Sequence, residues 1–362
     1  MLEIDFAEPK LDILKMLSTS FQTKDHTAIE KYLIENGASA FYDKMVAMNL
    51  LKSNSKLRKK IEAAKEQKLN EIKNKNRNEL DTEDAIKDYI SFYAKAFDLD
   101  NFKSKVNELL EIDRSNSLLL DIQFCLIRMA LILGDKKMLH ENIEKGKDIA
   151  TVSDWDRKNR FKVYLGLYSL QKAKFREAAD YFYDCLASFE ASETVEFEEI
   201  ILYLIFSGLL SYSRNELEKK VVNNFEVLKF KDLIKLPEAF YNCSYPKLFD
   251  NLLEFVSRFE NDIFIGDYKQ FFTKEMVIKS YAQFLLSYQS VHLKAMADVF
   301  GVTERFLEED LRMFIISNRL NCEIDKVDNL IAVKGIECTR TLENEFVLSH
   351  EIMKDVRKYI NK

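Results

Sequence analysis

The sequence predicts an all-α dominated protein: a right-handed, tetratricopeptide-like helical-repeat solenoid, followed by a winged-helix module with a small β wing and a C-terminal helix. Three observations support this fold class. The 362 residues include only 8 Gly and 3 Pro, too few for the turns of an all-β protein. Amphipathic stretches of helical length follow one another from about residue 84. A helix-turn-helix pattern near residue 300 then precedes a strand-like alternation at residues 322–325.

A helical-repeat domain is predicted for residues 84–270. Its apolar and aromatic residues recur at three- and four-residue spacing, and short polar breaks separate the stretches. The breaks are FDLDNF at 97–102, DRSNS at 113–117, LGDKK at 133–137, TVSDWD at 151–156 and KAKF at 172–175. Small residues (Ala173, Ala178, Ala179) lie beside large aromatics, which is similar to tetratricopeptide packing without its full signature. Most of the Phe and Tyr side chains are therefore expected in the core.

Residues 1–83 are predicted to form an N-terminal helical arm. Within it, residues 52–78 hold ten Lys and Arg against three Glu. Leu57 and Ile61 are among its sparse apolar positions, so we expect a long, solvated helix. Contact with an acidic partner and binding to nucleic acid both remain open, although the segment lacks aromatic residues for base stacking.

The winged-helix part of the chain is predicted at residues 271–335. Met296, Val299 and Phe300 give the first helix an apolar face, and Gly301 can adopt the left-handed conformation that ends it. Thr303 is the expected N-cap of the second helix. The buried stripe of that helix is predicted to consist of Leu307, Leu311, Phe314 and Ile315. Its exposed face is predicted to consist of Glu304, Arg305, Glu308, Glu309 and Arg312.

The charge of this second helix argues against DNA reading. A DNA-binding helix-turn-helix places its second helix between phosphates, where cations are required. The predicted exposed face instead sums to −1, and Asp310 makes the helix more acidic. Residues 288–331 hold five Lys and Arg against eight Asp and Glu, and the whole chain has a net charge of −6. We therefore predict a protein-binding winged helix and no nucleic-acid partner.

The wing is predicted as a hairpin after the second helix. Apolar and acidic residues alternate at 322–325, KVDN turns the chain, and LIAV follows. A two-stranded wing leaves an edge that can add a neighbour's strand. The candidate interface residues are Cys322, Ile324, Leu330, Ile331 and Val333.

Residues 336–362 are predicted to form a C-terminal bundle helix. Positions 342, 346, 349, 353, 356 and 360 step by four and three, the spacing of a coiled-coil seam. The helix either folds back on its own domain or joins helices of other chains, and we favour the second interpretation. The candidate bundle residues are Leu342, Phe346, Leu348, Ile352, Met353, Val356, Tyr359 and Ile360.

Motifs for catalysis or cofactor binding do not appear in the sequence. The four His residues are far apart, without metal-ligand spacing, and the five Cys residues form no C-x-x-C pair. Glycine-rich phosphate loops and a serine nucleophile elbow are missing as well. We therefore predict no enzyme activity, no metal site and no cofactor.

Signals for export or membrane insertion are also missing from the sequence. The first residues, MLEIDFAEPK, are acidic where a signal peptide is basic and apolar. The longest apolar run, residues 200–210, is shorter than the ~20 residues needed to cross a bilayer. We expect a reducing setting in the cytoplasm and nucleus, and no membrane partner.

Two stretches resemble the PCI-domain family of scaffold subunits, which occurs in the proteasome lid, the signalosome and translation initiation factor three. Residues 154–189, from DWDRKNR to CLASF, resemble helices of the lid's non-ATPase subunit-seven family. Residues 281–331, including the wing CEIDKVDN, resemble the winged helix of that family. The similarity runs from about residue 84 to the C-terminus, whereas the first 80 residues match poorly.

This resemblance implies a non-catalytic scaffold subunit of the proteasome regulatory-particle lid. Such a subunit supports lid assembly, and ATP- and ubiquitin-dependent protein degradation, through PCI–PCI and helical-bundle contacts. The implied partners form a hetero-oligomer with it: other PCI subunits, notably non-ATPase subunit three, a small acidic disordered subunit and the lid deubiquitinase. The ATPase ring is a further candidate partner. The alternatives are a subunit-one-like signalosome scaffold and a nucleic-acid-binding winged-helix regulator.

Overall fold

The structure, a computed structural model, describes residues 6–76, 82–189 and 193–333. Within these ranges the chain forms 18 α-helices and one three-stranded sheet, which confirms the predicted helical fold with a small sheet late in the chain. The chain divides into two compact units. Unit 1 comprises Met1–Pro237 and Val256–Lys269, and unit 2 comprises Glu238–Phe255 and Gln270–Lys362. The finer division into four parts stays a prediction.

Four helices begin unit 1: α1 (Asp12–Thr23), α2 (Thr27–Asn36), α3 (Ser39–Ala47) and α4 (Ser55–Asn76). Helix α4 is the predicted basic helix, but it is not solvated on all sides. Leu57 and Ile61 are buried where α4 packs against α2 and α3. Lys65 Nζ lies 2.8 Å from the Asp98 carboxylate, which links the helix to the start of the repeats.

Six helices follow as consecutive pairs joined by short links: α5 (Thr82–Ala96), α6 (Leu99–Ile112), α7 (Asn116–Leu133), α8 (Lys136–Ala150), α9 (Trp155–Gln171) and α10 (Phe175–Cys185). Each of the five predicted polar breaks coincides with a helix boundary. Asp98, Ser115 and Asp135 are N-caps whose side chains accept hydrogen bonds from backbone N–H groups, which is why the helices begin there. The helices pack as α5 with α6, α7 with α8, and α9 with α10.

The pair formed by α9 and α10 packs very closely. A Cβ atom on Gly166 would lie 2.5 Å from the Phe182 ring, so only glycine permits this approach. Helix α7 is long and apolar enough to span a bilayer by length and composition, but 72% of that stretch is buried inside the protein. Its side chains therefore form the core between neighbouring helices.

The rest of unit 1 surrounds a second apolar helix. The helices are α11 (Phe197–Ser211), α12 (Arg214–Leu217), α13 (Phe225–Leu228), α14 (Lys231–Tyr241) and α15 (Tyr245–Phe259), of which the last two are each divided between unit 1 and unit 2. Every residue from 200 to 209 is buried, so the longest apolar run of the sequence forms a core helix. The rings of Phe206 and Phe259 meet edge to face at 5.4 Å.

One guanidinium inside unit 1 holds the N-terminal segment. Arg128 of α7 is completely buried and donates to the carbonyl oxygens of Phe6, Glu8 and Pro9, the last at 2.9 Å from Nε. It also donates to the hydroxyl of Tyr164 in α9. One side chain thereby fixes a segment that lies about 120 residues earlier in the sequence.

The charge of Arg128 is balanced inside the protein. Glu193, also buried, lies 3.8 Å from Arg128 Nη1 and accepts a 2.8 Å hydrogen bond from Arg160. Burial alone would lower the pKa of Arg128, but the neighbouring Tyr164, Cys125 and Glu193 groups outweigh it and raise that pKa. The guanidinium therefore stays charged.

Unit 2 contains the winged helix. Its elements are α16 (Lys269–Leu285), β1 (Ser290–His292), α17 (Leu293–Phe300), α18 (Glu304–Ile316), β2 (Cys322–Asp325) and β3 (Leu330–Val333). The strands lie in the order β1-β3-β2 and both pairs are antiparallel. The predicted hairpin of two strands is wrong in its strand number, because β1 pairs with β3 through Val291 and Ile331.

Candidate functional site

The turn between α17 and α18 has the geometry that the sequence predicts. Gly301 has a φ of 68°, the left-handed conformation that ends α17. Thr303 begins α18, because its Oγ1 accepts a hydrogen bond from the Phe306 N–H at 3.3 Å. The turn thereby fixes where α17 ends and where α18 begins.

An aromatic cluster centred on Phe300 holds this module together. The Phe300 ring lies 4.5 Å from that of Tyr245, 4.9 Å from that of Tyr281 and 5.6 Å from that of Phe284. Met296, Leu307 and Leu311 are buried beside the cluster, as predicted. The prediction for Val299 is wrong, since this side chain is exposed on the outer side of α17. The buried side chains of α17, among them Met296 and Phe300, form its contacts with the core instead.

The outer face of α18 differs from the predicted one in its apolar content. Glu304, Arg305, Glu309 and Arg312 are exposed as expected, and Glu308 is half-buried in an ion pair with Lys326. Three large apolar side chains are also exposed: Phe306 at 50%, Met313 at 60% and Ile316 at 70%. Spaced at i, i+7 and i+10, they lie along one side of the helix, and we call them the α18 surface. Large contiguous apolar patches on proteins mark contact sites for other proteins, so the α18 surface is a candidate for such a contact.

Two polar contacts fix α18 against α16. Arg319, just after the helix, donates to both carboxylate oxygens of Glu275, at 2.7 and 2.6 Å. Asp310 accepts a hydrogen bond from the Tyr281 hydroxyl at 3.4 Å, and burial raises the pKa of both groups. Asp310 is therefore turned toward the module and adds little to the charge of its outer face.

The candidate residues of the wing do not share one environment. Cys322 and Ile331 are buried in the core of unit 2, so their side chains cannot touch a partner. Ile324, Leu330 and Val333 are half-buried. Strand β3 lies in the middle of the sheet, so its backbone is paired on both sides, and β1 and β2 are the outer strands among the described residues. The interface itself stays a prediction, and β2 is the outer strand of the predicted hairpin.

The eight candidate bundle residues lie outside the described residues. These are Leu342, Phe346, Leu348, Ile352, Met353, Val356, Tyr359 and Ile360. The bundle helix thus stays a prediction from the coiled-coil spacing.

The described residues also give little chemistry for catalysis. Residues 6–76, 82–189 and 193–333 contain no group of three or more His, Cys, Asp and Glu side chains that could hold a metal ion. Burial raises the pKa of the Cys125 and Cys185 thiols to about 12, so both are protonated and poorly nucleophilic at neutral pH.

Comparisons with known proteins agree with this architecture. The family model for 26S proteasome subunit RPN7 matches residues 47–220, and the PCI domain model matches residues 252–334. The chain is 35% identical over 286 residues to the 26S proteasome non-ATPase regulatory subunit 6 of Dictyostelium discoideum, covering 75% of this chain and 74% of the relative. It is 30% identical over 334 residues to the 26S proteasome regulatory subunit rpn7 of Schizosaccharomyces pombe, covering 88% and 82%.

A member of another complex is similar over a shorter part of the chain. COP9 signalosome complex subunit 1 of Arabidopsis thaliana is 27% identical over 199 residues, covering 53% of this chain and 45% of the relative. Identity and coverage are both higher for the two proteasome subunits described above. The helical repeats, the PCI domain and these relatives together show that the chain belongs to the Rpn7 family of 26S proteasome regulatory subunits.

Proposed function

We propose that this protein is a non-catalytic scaffold subunit of the proteasome regulatory-particle lid, where it supports lid assembly and ATP- and ubiquitin-dependent protein degradation. The observation that carries the proposal is its similarity to Rpn7 proteins across both the helical repeats and the PCI domain. The partners we propose are other PCI subunits, notably non-ATPase subunit three, the small acidic disordered subunit, the lid deubiquitinase and the ATPase ring. Cytoplasm and nucleus are the proposed locations.

The winged helix offers two features for a contact with a neighbouring PCI subunit. The α18 surface presents Phe306, Met313 and Ile316 to solvent. Strand β2 is an outer strand of the sheet that the described residues form, and its Ile324 side chain is only half-buried, so a partner could contact it. Neither feature suits a phosphate backbone, because the exposed charges of α18 are mixed rather than cationic.

Affinity purification of the tagged full chain tests the proposed function. We expect lid and ATPase subunits of the proteasome to be recovered with it. Recovery of signalosome subunits, or of initiation-factor subunits, would overturn the proposal. The signalosome is the relevant alternative because one of its subunits is 27% identical to this chain.

Substitution of the α18 surface tests how the scaffold works. The triple variant Phe306→Ser, Met313→Ser, Ile316→Ser leaves the buried stripe intact, so the protein should fold normally. A surface of this kind that forms an interface centre contributes about 2 kcal/mol or more, equivalent to roughly 30-fold weaker assembly. The control is Arg305→Ala with Glu309→Ala, which removes an exposed ion pair on the same helix without changing the net charge. Equal recovery of lid subunits with both variants would contradict the role of the α18 surface.

Deletion of residues 341–362 tests the proposed bundle. We expect the truncated chain to keep its helical circular dichroism spectrum and its thermal unfolding midpoint, but to fail to enter the lid. If the truncated chain instead unfolded, the segment would belong to the core of its own domain. That result would remove the support for a bundle between subunits.

A further inference from the structure

The connection between α8 and α9 displays two large apolar side chains at the surface of unit 1. Val152 is 66% exposed and Trp155 is 65% exposed. Trp155 is the only Trp among the 362 residues. Burying a side chain of this size supplies more free energy than almost any other single contact, so its exposure is costly unless a partner covers it.

Local hydrogen bonds make this connection rigid. Ser153, between the two apolar residues, is buried, and its Oγ donates to the carbonyl oxygen of Ile149 at 2.9 Å. Thr151 Oγ1 donates to the carbonyl oxygen of Asp148 at 2.7 Å. With Ser153 held inside, Val152 and Trp155 must point outward, and little conformational entropy remains to be lost on binding.

The start of α9 is also tied to its neighbour α7. The Asp154 carboxylate accepts a hydrogen bond from Ser117 Oγ at 2.9 Å. Arg157 donates from Nε and Nη2 to the carboxylate of Asp121, which is buried in α7, at 3.0 and 2.8 Å. Trp155 therefore lies at the start of a helix that is fixed to its neighbour, so its exposure does not come from a flexible loop.

The charges around the ring specify the chemistry of the partner. Asp148, Asp154 and Asp156 have exposed carboxylates on this connection. Arg157 is held by the buried Asp121 and also lies 3.3 Å from the Asp154 carboxylate, so Asp148 and Asp156 are the carboxylates that it leaves for a partner. An indole ring beside carboxylates favours a Lys or Arg side chain, which can lie over the ring and pair with a carboxylate.

We propose that Val152 and Trp155, with their surrounding carboxylates, form a docking site for a basic segment of a partner polypeptide that carries an apolar side chain next to Lys or Arg. The site lies on the helical repeats, and it is additional to the winged-helix contacts of the proposed function. A segment of this kind buries its apolar side chain against Val152 and the indole while its cation meets the acidic rim.

The single Trp provides a direct test on the isolated full chain. Two synthetic peptides serve as probes, acetyl-Leu-Lys-Leu-Lys-amide and acetyl-Leu-Glu-Leu-Glu-amide. The basic peptide should shift the emission of Trp155 to shorter wavelength and reduce its quenching by acrylamide, and added salt should weaken both effects. The acidic peptide should do neither. Equal responses to the two peptides, or no response to either, would overturn the proposal.

Hydroxyl-radical footprinting extends the test to the assembled complex. Trp155 should oxidise readily in the free chain and about tenfold more slowly in the complex purified through a tag on this chain. The double variant Asp148→Lys, Asp156→Lys should restore oxidation, whereas Lys136→Glu with Lys137→Glu, a pair elsewhere on the repeats, should not. Equal oxidation of Trp155 in the free chain and the complex would contradict the inference.

These outcomes are distinct from failure of the proposed function. If the purified complex contained no proteasome subunits, the lid assignment would fall, and the footprint would still report whether Trp155 is covered there. If the chain were recovered alone, the peptide titration would decide the docking proposal. If lid subunits were recovered but Trp155 stayed fully reactive, only the docking site would be lost.

Discussion

Replacing Arg128 by Met should destabilise unit 1 by about 3–5 kcal/mol, the usual cost of removing one partner from a buried charged network. Methionine fills a similar volume, so the loss is electrostatic and not a cavity. The guanidinium serves the carbonyl oxygens of Phe6, Glu8 and Pro9 as well as the Tyr164 hydroxyl.

The lower end of this range of destabilisation follows from the hydrogen bonds of the N-terminal segment and from its ability to detach. A hydrogen bond to a charged group contributes about 1.5–3 kcal/mol, so two good ones already give about 3 kcal/mol. If the segment detaches, water forms hydrogen bonds with its carbonyl groups. The segment then adds no further loss of free energy. The buried carboxylate of Glu193 cannot escape in this way, and it keeps only Arg160 as its cationic partner.

Urea unfolding followed by circular dichroism measures the change in free energy, and limited proteolysis near residue 10 measures release of the segment. The matched control is Arg58→Met, because Arg58 forms ion pairs with Asp43 and Glu62 in which all the side chains are about half exposed. Such surface pairs contribute at most about 1 kcal/mol. If Arg128→Met cost no more than the control and left the N-terminal segment protected, the reasoning would be refuted.

Two further changes probe packing and charge in the repeats. Gly166→Ala should cost about 1–3 kcal/mol through the clash with Phe182, as measured by thermal unfolding, and adding Phe182→Leu should restore part of the loss. Burial alone would raise the pKa of Asp98, but hydrogen bonds from Lys65 and Asn101 outweigh it and hold that pKa below its ordinary value. The ion pair therefore adds stability above pH ~4, which disappears as the pH falls through the lowered pKa of Asp98. Asp98→Asn, which can still cap α6, should flatten this acid limb in unfolding curves recorded between pH 3 and 7, and an unchanged limb would contradict the assignment.

Helix boundaries were predictable because their signals are local. Asp98, Ser115 and Asp135 cap helices within three residues of their own positions, and Gly301 ends α17 by its own conformation. For the same reason, the sequence alone predicts all five breaks between the repeat helices.

The features that sequence reasoning missed depend on distant residues. Strand β1 has only three residues, too few for an alternating pattern, and it exists because Ser290 to His292 meet β3 about 40 residues later. Burial of Arg128 needs carbonyl groups about 120 residues away. The exposure of Met313 could not be predicted either. An apolar residue in an amphipathic helix is expected to be buried, and only the positions of its neighbours show that this one is not.

Prediction of the candidate interface was limited in the same way, because it also depends on distant residues. Alternation correctly placed Cys322 and Ile324 on one strand, but it could not show that β3 is central and β2 lies at an edge. That distinction follows from strand order, which the sequence pattern does not encode.

The position of β3 in the sheet sets the order in which the protein can fold during synthesis. The paired repeat helices make contacts between near neighbours in the chain, so each pair can form soon after it has been translated. Among the described residues β1 and β2 both pair with β3, so this three-stranded sheet cannot form until residues 330–333 exist. The winged helix is therefore completed after the helical repeats, so a nascent chain acquires the proposed contact surface of its winged helix only once most of its own fold is in place.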